Sequence, residues 1–116
     1  MASHDYGTYL YLLKEREHVR CGDDGAVVCK VGFTTDFVTR MRAYPDSSTI
    51  ILTVSVRRES VRQAARLVLG AFERCFKQRN DIGDEYFEGA ASDMVAMIVA
   101  VSARYIHPFS KNVGQW

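Results

Sequence analysis

The sequence lacks any long uninterrupted apolar run, and this absence excludes one class of protein at the outset. No apolar stretch approaches the roughly 20 residues that a helix needs to cross a bilayer. The first residues, Met1–Asp5, also lack the basic and apolar segments of a secretory signal. We therefore expect an intracellular protein that has no membrane partner.

Cysteine and proline are both scarce. The three cysteines, Cys21, Cys29 and Cys75, are an odd number without CxxC spacing, so a disulfide framework is not expected. The spacing of His18, Cys21 and Cys29 fits no common zinc site. The chain has only two prolines and no internal repeat or low-complexity linker, so we predict a single domain over residues 1–116.

A strong net charge is also missing, since the formal net charge is only +1. Basic residues nevertheless crowd the segment 57–79, and acidic residues follow it at 81–88. A helix that binds a phosphate backbone and an ordinary solvated helix face are the two interpretations, and charge alone favours the second. Arg62 and Arg66 in this segment are the candidates for contact with a nucleic acid.

Alternation and composition predict three strands. Residues 7–13 and 26–33 are predicted to form an antiparallel hairpin with a long polar tip. Residues 48–56 are rich in β-branched side chains and predict a third strand, which we expect to be central. Residues 85–88 are predicted to add an edge strand or an ordered turn.

Three helices are predicted around these strands. The first is capped by Thr34 or Thr35. The longest runs over about 59–78, and Cys75 is expected to be a small core residue on its apolar face. The last runs over 92–105 and should be well buried, because it is apolar on most of its circumference. The fold class is therefore α+β: a small three-stranded antiparallel sheet flanked by helices, in the order β-β-α-β-α-α.

Two short signatures lie on the predicted hairpin, Gly7-Thr8-Tyr9-Leu10-Tyr11 and Lys30-Val31-Gly32-Phe33-Thr34. Tyr9 and Tyr11 point to the same face of their strand, because side chains alternate. Gly32 allows a backbone or a phosphate to approach closely. Arg40, on the first helix, offers a planar fork of donors to phosphate oxygens, and Lys30 adds a point charge. These groups suit a phosphodiester whose charge grows in the transition state. Their ordinary alternative is structural: strand packing for the tyrosines and an ion pair of Arg40 with Asp36.

The order and spacing of these residues resemble the GIY-YIG nuclease superfamily, and most closely its phage and large-virus branch. The resemblance covers roughly residues 6–88, and Glu85-Tyr86-Phe87 stands where that branch has a Glu-Trp-Phe element. It implies a metal-dependent endonuclease that hydrolyses DNA phosphodiester bonds. Tyr9 would be the base or its relay and Arg40 the phosphate clamp, with Lys30 and Tyr11 beside them and Gly32, Arg62 and Arg66 contacting the substrate.

The metal-binding position departs from the family's pattern. The family binds one divalent metal, usually magnesium, through a glutamate on the long helix, where this chain has Leu69. A leucine cannot ligate a hard cation, which requires oxygen ligands. Glu73, one turn further along, is the best remaining ligand, although an ion pair with Lys77 explains it slightly better.

The departure leaves two functions open. One is an active nuclease with magnesium. The other is a GIY-YIG-like domain that does not cleave and has no metal, and that serves as a nucleic-acid-binding or protein-interaction module in a virus particle or its replication machinery. In both cases the expected partner is DNA, with specificity supplied by a homodimer or by a partner protein.

Overall fold

The structure is a computed structural model that describes residues 8–15, 26–44 and 48–106. It confirms the α+β class. The strands are β1 (Tyr9–Lys14), β2 (Val27–Thr34), β3 (Thr49–Ser55), β4 (Lys77–Gln78) and β5 (Tyr86–Gly89). The helices are α1 (Phe37–Arg42), α2 (Val61–Cys75) and α3 (Ala91–Ser102), with short 3-10 turns at Arg58–Ser60 and Ala103–Tyr105.

The sheet has five strands rather than the predicted three. Their order is β3-β1-β2-β5-β4, and each neighbouring pair is antiparallel. The prediction that the third strand is central was wrong, because β3 lies at an edge and Ile50 in it is 43% exposed. Residues 85–88 were expected at an edge, yet β5 lies inside the sheet because the short β4 pairs with its outer side.

Helices α2 and α3 cover one face of the sheet. Leu10 and Leu12 of β1 and Val31 of β2 lie on that face and are almost completely buried, as the two-residue period of a strand requires. They pack with Phe72 of α2, whose ring centroid lies 5.3 Å from that of Phe87 in β5. This contact ties the long helix to the inner strands.

The first two helices begin and end differently from the prediction. Asp36, rather than Thr34 or Thr35, caps α1, because its carboxylate accepts from the backbone N–H of Thr39 at 3.3 Å. Helix α2 ends at Cys75, since Phe76 adopts an extended backbone that leads into β4. Cys75 is exposed, so its prediction as a core residue was wrong.

The last helix is less buried than its composition suggested. Met94 and Ile98 face the core, but Val99 is 45% exposed. Among the helices of the described residues, none has the length and apolar composition needed to span a bilayer. The hairpin tip with His18 and Cys21 lies outside the described residues.

Candidate functional site

The face of the sheet opposite α2 and α3 carries most of the residues that the sequence singled out. Tyr11 lies directly across from Gly32 in the β1–β2 register, and Leu13 lies across from Lys30. Tyr86 of β5 lies across from Lys30 on its other side. Three adjacent strands therefore contribute to one surface, since side chains at alternate positions share a face.

Gly32 allows the ring of Tyr11 to lie against β2. A Cβ atom at position 32 would stand 2.8 Å from the Tyr11 hydroxyl oxygen and 3.0 Å from Cζ, closer than side chains tolerate. The sequence predicted a close approach at Gly32. The group that approaches in this structure is the phenol of the neighbouring strand.

The Tyr11 hydroxyl is fixed by a second phenol. Its oxygen lies 2.7 Å from the hydroxyl oxygen of Tyr44, which follows α1, and the two rings meet edge to face. Tyr11 is only 1% exposed, whereas Tyr44 is half-buried. Tyr44 therefore connects the buried hydroxyl to the surface, and the sequence analysis missed it.

Lys30 sits between aromatic rings. Its ammonium lies 5.2 Å from the Tyr44 ring centroid and 5.6 Å from that of Tyr86, both within the range of cation–π attraction. The Tyr86 hydroxyl donates to the carboxylate of the buried Glu15 at 2.9 Å. We call Tyr11, Lys30, Tyr44 and Tyr86 the tyrosine–lysine cluster.

Tyr11 holds its proton firmly. Burial is the main cause that raises its pKa above the usual range, and the hydrogen bond with Tyr44 raises the pKa further. The charge of Arg40 lowers the pKa of Tyr11, and the charge of Glu85 raises it. Both side chains therefore lie within electrostatic reach of the phenol. The raised pKa means that Tyr11 keeps its proton at neutral pH and does not act as a base.

Tyr9 lies on the same face but further from Gly32. It pairs with Thr34 on one side and Ser55 on the other, and it is half-buried. Of the two tyrosines in the first motif, Tyr11 is the one in contact with Gly32 and Tyr44. The geometry thus favours Tyr11 as the central phenol, while the role of Tyr9 stays a prediction.

A cavity and a groove lie on the helix side of β2. The cavity lies beside Gly32 and includes Leu69 and Glu85 in its lining. The groove runs along α2, and its lining includes Arg62 and Arg66. Cavity and groove share Phe33, Ala65 and Leu69, so they form one continuous depression. The Arg62 guanidinium lies 5.9 Å from the Phe33 ring centroid.

Glu73 belongs to the groove and not to the tyrosine–lysine cluster. It is exposed on α2, near Arg62 and Arg66. The predicted helical pair of Glu73 with Lys77 does not have a helix to form on, because α2 ends at Cys75 and Lys77 belongs to β4.

Glu85 is a second carboxylate, beside Glu15, that contacts the tyrosine–lysine cluster. It lies 3.9 Å from the Lys30 ammonium and lines the cavity beside Gly32. Sequence reasoning treated the segment around Glu85 as structural and missed this role. Alternation in β5 turns Phe87 toward the core and Tyr86 toward Lys30, but Glu85 directly precedes this strand, so no periodic signal marked its role.

The comparisons with known proteins agree with the motifs. A family model, the T5orf172 domain, matches residues 8–102. The chain belongs to the T5orf172 domain family. This domain is found in phage proteins and is related to nuclease-like folds of the GIY-YIG kind. The T5orf172 match covers every described strand and helix from β1 to α3. No curated protein and no solved structure shows significant similarity to the chain.

The side chains that could ligate a magnesium ion are few in the described part of this T5orf172 domain. Within residues 8–15, 26–44 and 48–106, no group of three or more His, Cys, Asp or Glu side chains is placed to hold a metal ion. Magnesium, however, is often held by one or two carboxylates together with substrate phosphates and waters. The single carboxylate of Glu85, which already pairs with Lys30, does not form such a site on its own.

Proposed function

We propose that this chain is a GIY-YIG-like endonuclease domain that hydrolyses DNA phosphodiester bonds. The observation that supports this proposal most is the convergence on one face of the buried Tyr11 phenol and the Lys30 ammonium, within reach of the Arg40 charge. Cationic groups and a hydroxyl donor that are fixed before the reaction stabilise the negative charge that develops on phosphorus oxygens. Membership of the T5orf172 family also supports a nuclease-like function.

Arg40 and the residues of the tyrosine–lysine cluster would have different roles in the reaction. Arg40 is exposed on α1 and would clamp the phosphate through two parallel hydrogen bonds. Tyr44 is the phenol that a substrate reaches first, and Tyr11 holds its hydroxyl in place. Because Tyr11 keeps its proton, the phenol pair donates a hydrogen bond and does not abstract a proton. A magnesium ion, when bound, would polarise the phosphate and stabilise the leaving oxygen.

The groove along α2 offers a path for the DNA strand. Arg62 and Arg66 are exposed four residues apart on the same helix face and line the groove together. Phe33 adds an aromatic surface beside Arg62. A backbone that enters at these arginines and passes Phe33 would reach the cavity beside Gly32. Glu73, also in the groove, remains the metal ligand that the sequence suggested.

A plasmid-nicking assay with Mg²⁺ or Mn²⁺ tests the proposal. Native protein should nick supercoiled DNA, and Arg40→Ala should lower the rate by about 100- to 1,000-fold, the usual effect of removing one stabilising donor. Arg42→Ala is the matched control, because Arg42 is exposed on the same short helix but points in another direction. Nicking that survives Arg40→Ala unchanged would contradict the assignment.

The tyrosines are tested in the same assay. Tyr11→Phe should lower the rate strongly, whereas Tyr9→Phe should have a smaller effect, because Tyr9 lies further from Gly32. A rate that depends on Tyr9 alone would restore the original assignment of the sequence analysis.

A second function is favoured by one specific observation. Tyr11 is 1% exposed, so a substrate cannot touch its hydroxyl directly. A domain that binds nucleic acid without cleaving it would keep such a buried phenol for structure alone. In that case native protein never nicks DNA but binds it with a steep salt dependence, and the slope decreases by about one for each phosphate contact removed in Arg62→Ala and Arg66→Ala.

A further inference from the structure

The groove along α2 combines an apolar surface with cationic side chains. Phe33, Ala65 and Leu69 contribute the apolar part, and the Arg62 guanidinium lies 5.9 Å from the Phe33 ring centroid. Phe33 and Leu69 are half-buried, so both remain partly open to solvent. The groove has a volume of about 460 Å³, which lies within the range of sites that take small organic groups. A flat ring such as a nucleobase can therefore enter the groove and lie against Phe33.

The two arginines of the groove are not neutralised by neighbouring acids. Arg57 and Arg79 pair with carboxylates, whereas Arg62 and Arg66 form no ion pair within the described part of the chain. Arg62 and Arg66 are one helical turn apart, about 6 Å along the helix axis, so one phosphate backbone can contact both. Their positive charge is therefore available to an anionic ligand.

Glu73 is the one acidic residue among the described residues that line this groove. It follows Arg66 by seven residues, which places it about 10 Å further along the helix axis. The groove is thus positive beside Arg62 and Phe33 and negative at its other end. Phosphates are expected beside the arginines, because the Glu73 carboxylate repels them.

The cavity beside Gly32 is too small for a base. Its volume is about 10 Å³, which is room for about one water molecule. A base that reaches this part of the molecule must therefore stay in the groove, where the Phe33 ring is the aromatic surface among the described lining residues.

A DNA duplex does not offer the faces of its bases to such a ring. In a duplex, proteins reach the phosphates and the edges of the bases in the two grooves. A single strand exposes the base faces, and proteins that bind single strands join a cationic groove to aromatic side chains on which bases stack. The lining of the α2 groove has both features.

We propose that the α2 groove binds an unpaired DNA strand, with one base stacked on Phe33 and the phosphates held by Arg62 and Arg66. This inference rests on the function proposed above. It gives the substrate class of that function as single-stranded DNA, or as a duplex with an unpaired segment.

Fluorescence anisotropy of a short labelled oligothymidine, measured in EDTA, tests the stacking without any metal-dependent cleavage. The strand should bind more tightly than a duplex of the same length. Phe33→Leu should weaken binding about 5- to 150-fold, the effect of losing one stack of a base on an aromatic ring. An abasic strand of the same length should bind equally well to native protein and to Phe33→Leu. Phe33→Trp keeps an aromatic ring and should retain the binding.

The arginines are tested by the salt dependence of the same binding. Arg62→Ala and Arg66→Ala should each reduce the slope of log affinity against log salt by about 0.7, the value for one phosphate contact of a single strand. Arg104→Ala is the matched control, because Arg104 is exposed but lines a different groove, beside Leu67. It should leave the affinity and the slope unchanged. Circular dichroism melts confirm that each variant is folded before its binding is compared.

The outcomes separate this inference from the proposed function. Native protein that nicks DNA but binds the duplex as tightly as the single strand overturns the inference and leaves the function standing. Equal losses for Phe33→Leu on the oligothymidine and on the abasic strand overturn it as well, because the ring then acts without a base. Native protein that binds the single strand through Phe33 but never nicks DNA supports the groove and contradicts the nuclease.

Discussion

The two faces of the sheet are built from the same strands, but the face opposite α2 and α3 buries a hydrogen-bonded phenol beside apolar side chains such as Leu13. On the helix face, Leu10 and Val31 pack against Phe72 with apolar contacts alone. On the other face, Tyr11 is as deeply buried, yet its hydroxyl is bonded to Tyr44 and lies near the charge of Arg40. A buried hydroxyl costs free energy unless it is hydrogen-bonded. We call the face that carries Tyr11 the polar face. The comparison indicates that the helix face accounts for most of the stability, whereas the polar face carries hydroxyl and charged groups that stability alone does not require.

The largest effect should come from the helix face. Phe72→Ala removes a ring that contacts Phe76 and Phe87, and it should lower the free energy of unfolding by about 3–5 kcal/mol. Urea unfolding followed by circular dichroism measures it. Leu67→Ala on the same helix is the control, because Leu67 is 45% exposed and should change stability far less. Equal losses in the two variants would contradict the assignment of the core face.

The next largest loss of stability should come from a substitution on the polar face. Gly32→Ala places a Cβ atom 2.8 Å from the Tyr11 hydroxyl oxygen and displaces a buried phenol. We expect a loss of about 1–3 kcal/mol in unfolding free energy, as for other overpacked sites. Gly70→Ala is the matched control, because its nearest neighbour is the Arg74 guanidinium at 3.6 Å and alanine favours a helix. It should be neutral or stabilising. A neutral Gly32→Ala would mean that Tyr11 is not tied to this position.

The helix face and the outline of the site were predictable because they depend on local order. Alternation along β1 predicts that Tyr9 and Tyr11 share one face of the sheet. Residues 85–88 were predicted as an edge strand or an ordered turn, but the short β4 was not predictable in this way. Phe76 continues the helical spacing of Phe72, but the chain leaves the helix at Phe76 because its ring packs closely over Gly89 of β5. Tertiary packing overrides local propensity there.

Two residues of the site, Tyr44 and Glu85, were not predicted from the sequence, and the physical reason is the same for both. Tyr44 reaches Tyr11 across 33 residues of chain, through the way α1 lies on the sheet. Glu85 reaches Lys30 through the register of β5 on β2. Neither contact has a periodic signal. Glu73 is the opposite case. The sequence predicted it because it lies near the expected ligand position, but the structure places it in the groove and not at the tyrosine–lysine cluster.

A smaller effect should follow from removing one hydroxyl group. Tyr11→Phe keeps the ring against Gly32 but loses the hydrogen bond to Tyr44. The free energy of unfolding should fall by about 0.5–1.5 kcal/mol, the net worth of one such bond. The near-ultraviolet circular dichroism spectrum, which reports on packed tyrosines, should change with it. A larger loss would show that the hydroxyl supports more of the polar face than one contact.

The same variant tests the pKa of Tyr11. Burial and the Tyr44 bond raise that pKa, so the folded chain keeps its proton at a pH where the unfolded chain releases it. Below about pH 10, the usual pKa of tyrosine, the folded and the unfolded chain both hold this proton, so Tyr11 contributes no pH dependence to the free energy of unfolding. Above that pH the folded state binds more protons, so stability falls as pH rises. Urea midpoints between pH 8 and pH 11 should fall more steeply for native protein than for Tyr11→Phe. Parallel curves would mean that the phenol is not buried in the folded state.

The smallest change in stability should come from the partly exposed ion pair on the polar face. Glu85 lies 3.9 Å from Lys30 and is partly exposed, and ion pairs of this kind contribute about 0–1 kcal/mol. Glu85→Gln should therefore alter the urea midpoint less than Lys30→Met, because Lys30 also contacts two rings. A stability loss as large as that of Gly32→Ala would make Glu85 a structural residue. A small loss would show that the polar face, unlike the helix face, holds a charged group that the fold does not depend on.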